Sequence, residues 1–97
     1  MPARLTEEQL TDGLRNLPDW RRDGDTLLRS IEADDFPAGI RLVVAVAEAA
    51  EAMDHHPDID IRWRTVQFAL STHSAGGLTG LDLDLAARID ALAASVR

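Results

Sequence analysis

Three histidines and the residues spaced around them carry the chemistry of this chain. His55 and His56 are adjacent and followed by Pro57. Trp63 stands six positions after that proline, His73 ten after Trp63, Asp82 nine after His73, and Glu51 four before His55. All three histidines fall where regular structure is expected to stop, and loops on a rigid scaffold are where chemistry tends to sit. Imidazole is the side chain whose unperturbed pKa, about 6.5, lies near neutrality. A cluster of imidazoles can therefore give and take protons without extreme tuning.

Each candidate also has a plainer reading. His55 or His56 can cap the end of a helix, where a histidine suits the negative end of the dipole. Pro57 can simply stop that helix, or stiffen the segment that carries a site. His73 follows Ser71-Thr72 and precedes Ala75-Gly76-Gly77, so it is either a surface residue in a glycine-rich loop or one wall of a pocket with room for a flat ligand. Asp82 stands three residues after Thr79, where capping alone would account for a carboxylate. Glu51, one turn before His55, is either a surface carboxylate or the group that orients an imidazole. Trp20 and Trp63 are read as packing residues. Three histidines and a carboxylate also match the ligand set of a catalytic zinc site. Adjacent histidines point in different directions, however, and no H-E-x-x-H pair exists, so no metal is expected.

The spacing resembles the signature of the pterin-4a-carbinolamine dehydratases. Met53-Asp54-His55-His56-Pro57-Asp58, Leu70-Ser71-Thr72-His73 and Gly77-Leu78-Thr79 carry the likeness, which runs through the second half of the chain. The resemblance implies that His55, His56 and His73 form the catalytic set. It implies that Glu51, Asp54, Pro57, Thr72 and Asp82 line or support the pocket. The implied reaction is dehydration of a 4a-hydroxytetrahydropterin to the quinonoid dihydropterin in tetrahydrobiopterin recycling, with no cofactor. Homodimers or homotetramers are implied as well. Some relatives bind a homeodomain transcription factor and others assist Rubisco assembly, so a non-catalytic interaction role is the alternative.

The elements that must position these residues are readable too. Ninety-seven residues suffice for one small domain, expected to span 1–97. Hydrophobic content of 45% with 28% charged is that of a globular protein. No apolar run approaches the roughly 20 residues of a membrane span. Arg4 has no apolar stretch behind it, so no secretory signal is read and a cytoplasmic location is expected. The absence of cysteine rules out disulfides and thiolate zinc sites. A net charge of −7 would be repelled by a phosphate backbone, so nucleic acid is not an expected partner.

Thr6 with Gln9 reads as a capping box, opening a helix through Leu10, Leu14 and Leu17 that Pro18 ends. Trp20–Arg22 and Thr26–Ala33 read as strands around Asp23-Gly24, a strong hairpin signal. Asp34 or Asp35 caps a long helix with Pro37 in its first turn and Ile40, Val43, Val44 and Ala47 as its apolar stripe. That helix should end near Asp54. Ile59, Ile61 and Trp63 alternate with polar residues as one half-buried strand, and Val66, Phe68 and Leu70 as another. Thr79 opens a last helix with Leu85, Ile89, Leu92 and Val96 inward. The order α-β-β-α-β-β-α predicts an α+β fold, a four-stranded antiparallel sheet with three helices on one face.

Overall fold

A computed structural model describes residues 3–96. Helix α1 spans Glu7–Leu14, strands β1 and β2 span Arg21–Asp23 and Thr26–Glu32, and helix α2 spans Phe36–Met53. Strands β3 and β4 span Asp58–Arg62 and Thr65–Leu70, followed by a 3-10 turn at His73–Ala75 and helix α3 at Gly80–Val96. The sheet is antiparallel with order β1-β2-β4-β3. The α+β architecture predicted from the element order is therefore present.

Register decides which face meets the helices. Leu27 pairs with Leu70, Ile31 with Val66, and Ile59 with Phe68. Side chains paired across strands share a face, so these residues form one apolar layer. Leu27, Ile31, Val66, Phe68 and Leu70 are buried there against Leu10, Leu42, Val46, Leu85 and Ile89 of the helices. The opposite face carries Ser30, Gln67, Asp58, Asp60 and Arg62, all exposed. Arg29 shares the apolar layer yet is charged. Its guanidinium pairs with Asp90 of α3, which also accepts from the Trp20 indole at 2.8 Å. Arg29 thus interrupts the apolar row of Leu27 and Ile31 with an ion pair that ties the sheet to α3.

The local signals mostly act as expected. Thr6 and Gln9 form the capping box, with Gln9 N–H donating to the Thr6 hydroxyl at 3.1 Å. Asp35 caps α2 by accepting from the Ala38 N–H at 2.8 Å. Helix α1 stops at Leu14, three residues before the expected end, and a turn from Leu17 N–H to the Leu14 carbonyl carries the chain on. Strand β1 lies one residue later than expected, at Arg21–Asp23.

Two expectations need correction. The inward face of α2 is Ala38, Gly39, Leu42, Val46 and Ala50, not Ile40, Val43, Val44 and Ala47. Those two stripes are roughly a third of a turn apart at 3.6 residues per turn. The smaller residues face the sheet because the sheet supplies the bulk: a Cβ on Gly39 would already lie 3.5 Å from a Val66 methyl. Val44 is left 53% exposed. Trp63 is the second correction. It leaves the strand alternation for the two-residue turn between β3 and β4, at φ 52°. It is 73% exposed, with the Arg64 guanidinium 5.0 Å above its ring. Trp20, by contrast, is buried as expected.

Candidate active site

The end of α2 sets the position of the first histidine. Asp54 adopts the left-handed conformation, φ 50°, and its N–H reaches the Glu51 carbonyl at 3.1 Å. The His55 N–H reaches the Ala50 carbonyl at 3.0 Å. This pair of bonds is a Schellman closure, which satisfies helix carbonyls that otherwise lack partners. The left-handed residue turns the chain sharply, so His55 points back into the protein while His56 stays outside. His55 falls where regular structure stops, as expected, yet it is only 8% exposed.

His55 meets a buried carboxylate. Its Nε2 lies 2.6 Å from Oδ1 of Asp82, which is fully buried. The other carboxylate oxygen accepts from the Thr72 hydroxyl at 2.7 Å and from the Thr79 N–H at 2.9 Å. The Thr72 and Thr79 hydroxyls are 2.8 Å apart. With the Thr72 proton given to Asp82, Thr79 is the donor to Thr72. The Thr79 oxygen in turn accepts from the Leu81 N–H at 3.2 Å. Every donor near Asp82 is thus directed at an oxygen, as a buried charge requires. Asp82 caps α3, as its spacing from Thr79 predicts, and it also bonds His55. The Asp82 carboxylate, filled by these donors, accepts from His55 Nε2–H. The tautomer with its hydrogen on Nε2 carries the free lone pair on Nδ1.

Thr79 is legible in sequence as a helix cap and as part of the Gly77-Leu78-Thr79 string, not as a member of this network. Its spacing to Asp82 gives the capping pattern, but nothing in sequence announces its bond to Thr72, which depends on the loop between them closing.

His56 donates to or accepts from Glu51 Oε2 at 2.8 Å, with both side chains exposed. His73 begins the 3-10 turn and is exposed. Each exposed histidine is covalently next to a member of the buried network, His56 beside His55 and His73 beside Thr72. Consecutive α-carbons are about 3.8 Å apart, so both lie at the rim of the network. The sheet brings the two segments together. Asp58, which opens β3, pairs with Ala69 near the end of β4, so the chain before β3 and the chain after β4 run off the same end of the sheet. Asp54 is exposed beside His55, and Pro57 is half-buried just before β3.

All eight residues singled out in sequence therefore lie at one end of the sheet, at the junctions of α2 with β3 and of β4 with α3. Among the described residues, no three of histidine, aspartate and glutamate are grouped so as to hold a metal ion. No described helix is long and apolar enough to cross a membrane.

The family model described as pterin 4 alpha carbinolamine dehydratase matches residues 3–92. A protein of Nocardia farcinica with the provisional name pterin-4-alpha-carbinolamine dehydratase is 64% identical over 92% of this chain and 94% of its own length. One of Mycobacterium tuberculosis with the same provisional name is 54% identical, covering 93% of this chain and 96% of the relative. A crystal structure from Brucella melitensis, described as a transcriptional coactivator/pterin dehydratase, superposes with a TM-score of 0.90 at 34% identity, over 93% of this chain and 98% of that one. Another solved structure, described as a pterin dehydratase-like protein that is a RuBisCO assembly factor in the alpha-carboxysome, gives a TM-score of 0.66 at 26% identity, over 77% of this chain and 89% of that one. The match over nearly the whole chain, together with the histidine-bearing end of the sheet, shows that the chain belongs to the pterin-4a-carbinolamine dehydratase family.

Proposed function

We propose that this protein dehydrates a 4a-hydroxytetrahydropterin by histidine acid–base chemistry, in the recycling of tetrahydrobiopterin. The observation that carries the proposal is the buried His55–Asp82 pair flanked by exposed His56 and His73. In the reaction the N5 proton goes to a base and the C4a hydroxyl leaves with a proton from an acid. A C4a=N5 double bond forms and water is released. The step is redox-neutral and needs no covalent intermediate, so two positioned proton carriers suffice, a contribution of typically about 10²–10⁴-fold.

His55 is the carrier whose nitrogen is fixed. With Nε2–H given to Asp82, its Nδ1 is the atom offered to a substrate, and the buried carboxylate is aimed at the ring that becomes positive on taking a proton. His56 and His73, both exposed, are the candidates for the complementary role. Glu51 orients His56, while Asp54 and Pro57 shape the same rim. No cofactor or metal enters this scheme.

The test is dehydration of a synthetic carbinolamine followed by absorbance, with the uncatalysed rate subtracted at each pH and the assay repeated after extensive chelation. Turnover that survives chelation supports the proposal. Turnover no higher than background at every pH, on folded protein, would leave the second reading: a non-catalytic interaction or assembly role, supported by the likeness to the RuBisCO assembly factor structure. We further read the protein as a cytoplasmic homodimer or homotetramer. The outward face of α2, where exposed Val44 and Ala47 adjoin Ala52, is the apolar surface that supports this, and light scattering of the native protein measures it.

A further inference from the structure

We propose that Arg4 is a positioning residue, clamping the loop between Thr72 and Thr79 so that Thr72 and Thr79 stay on Asp82. For its catalytic consequence this rests on the proposed dehydratase mechanism; for its structural content it does not.

The clamp has a backbone part and a side-chain part. The Leu5 N–H donates to the Leu78 carbonyl at 2.9 Å, and Arg4 forms an antiparallel bridge with Thr79. The side chain of Arg4 then reaches Gly77. A Cβ placed on Gly77 would lie 2.7 Å from Arg4 Nε and 3.2 Å from both Cζ and Nη2. Three guanidinium atoms therefore cover the space where a side chain would stand. Gly77 does not have the positive φ seen at Gly24 and Gly76, so its backbone does not call for glycine. A side chain there would have to displace the Arg4 guanidinium, the far end of a flexible and more than half-exposed side chain.

Gly77 is in turn joined to the network. The Thr72 N–H donates to the Gly77 carbonyl at 3.1 Å, and the Gly77 N–H returns to the Thr72 carbonyl at 3.4 Å. Arg4 and Leu5 thus adjoin Gly77, Leu78 and Thr79, of which Gly77 bonds Thr72 and Thr79 bonds both Thr72 and Asp82. An ion pair is not what places Arg4: its contact with Asp25 is 3.8 Å with both side chains more than half exposed, a geometry worth little. What the Arg4 side chain adds is cover over Gly77.

The experiment uses the full chain and follows the ring proton of His55 by NMR. In the native protein the Nε2–H proton bonded to Asp82 should exchange slowly with solvent. In Arg4→Ala it should exchange at least about tenfold faster, while the amide of Phe68 at the sheet centre stays within about twofold. Exchange of the ring proton within about twofold of native overturns the proposal. So does an equal acceleration at Phe68, which marks a general loss of stability. Should Arg4→Ala fail to fold, Arg4→Lys decides: a rate between native and tenfold supports the clamp, and a native rate overturns it. In the dehydration assay, Arg4→Ala should lower kcat about tenfold with little change in KM. If the native protein shows no turnover, the dehydratase reading fails while ring-proton exchange still decides the role of Arg4.

Discussion

Replacing Asp82 with Asn should cost far more turnover than stability. Three donors converge on the carboxylate: His55 Nε2–H at 2.6 Å, the Thr72 hydroxyl at 2.7 Å and the Thr79 N–H at 2.9 Å. Asparagine keeps the volume and offers one oxygen and one NH₂ group. With its oxygen toward Thr72 and Thr79, two donors remain satisfied. Its NH₂ then faces His55 Nε2, which must become an acceptor. The ring answers by moving its proton to Nδ1.

The stability cost of that rearrangement is modest. Each bond to a charged group is worth roughly 1 kcal/mol more than a neutral one, and relief from burying a charge offsets part of three such losses. A net of about 1–2 kcal/mol remains, or a fall in Tm of about 4–16 °C for a domain of this size. The cost to catalysis is larger. A proton on Nδ1 removes the lone pair assigned above to proton transfer under the proposed mechanism, so kcat should fall about 10²–10⁴-fold. That corresponds to roughly 2.7–5.5 kcal/mol of barrier. Carbinolamine dehydration measures kcat, thermal unfolding measures Tm, and ring nitrogen shifts report the tautomer. A flipped tautomer with kcat within threefold of native would refute the assignment of His55 Nδ1 as a proton carrier.

Three further outcomes follow from the same geometry. His73→Ala should lower kcat at least about tenfold with unfolding free energy within about 0.5 kcal/mol of native, because the side chain is exposed; His55→Ala should instead cost about 3–5 kcal/mol by orphaning a buried carboxylate, and equal Tm values for the two would contradict the burial difference. Asp54→Gly relieves a left-handed residue at φ 50° and should stabilise by about 1 kcal/mol, while a simultaneous drop in kcat would assign the Asp54 side chain to the pocket; a lowered Tm contradicts the backbone argument. The Arg22 guanidinium bonds Glu7, with Nη2 to Oε1 at 3.0 Å, and holds its carboxyl below the ordinary 4.5. That contribution is present above the unfolded-state pKa and lost as pH falls through the lower folded value, so native protein should lose more Tm than Glu7→Gln between pH 6 and about 3; parallel curves would show the pair contributes nothing.

What was readable in the sequence, and what was not, follows from how each signal is encoded. Capping at Thr6 and Asp35, the turn at Gly24 and the alternation of β4 depend on neighbours a few residues away, and they appear where the spacing puts them. The face of α2 does not. Ile40, Val43, Val44 and Ala47 keep helical spacing as well as Ala38, Leu42, Val46 and Ala50 do, so periodicity offers two stripes. Bulk favours the first, but the sheet already fills the layer and leaves room only for the second. Trp63 fails for a related reason. Alternation continues past the strand end in the letters, while the chain has already turned, and a tryptophan at positive φ carries no local mark of it.

The histidine pair shows the same limit at the site itself. His55 and His56 are adjacent letters of the same type, and sequence gives no ground for treating them differently. The difference is produced by Asp54. A left-handed residue at the end of α2 lets the His55 N–H close the helix, and that closure turns one ring toward α3 and the other toward solvent. Asp82 and Thr79 wait there because α3 needs a cap, and Thr72 because β4 ends beside the start of β3. Each of these residues has a sufficient local reason to be where it is. The site is what those reasons share, and it exists only once register and loop closure have placed them at one end of the sheet.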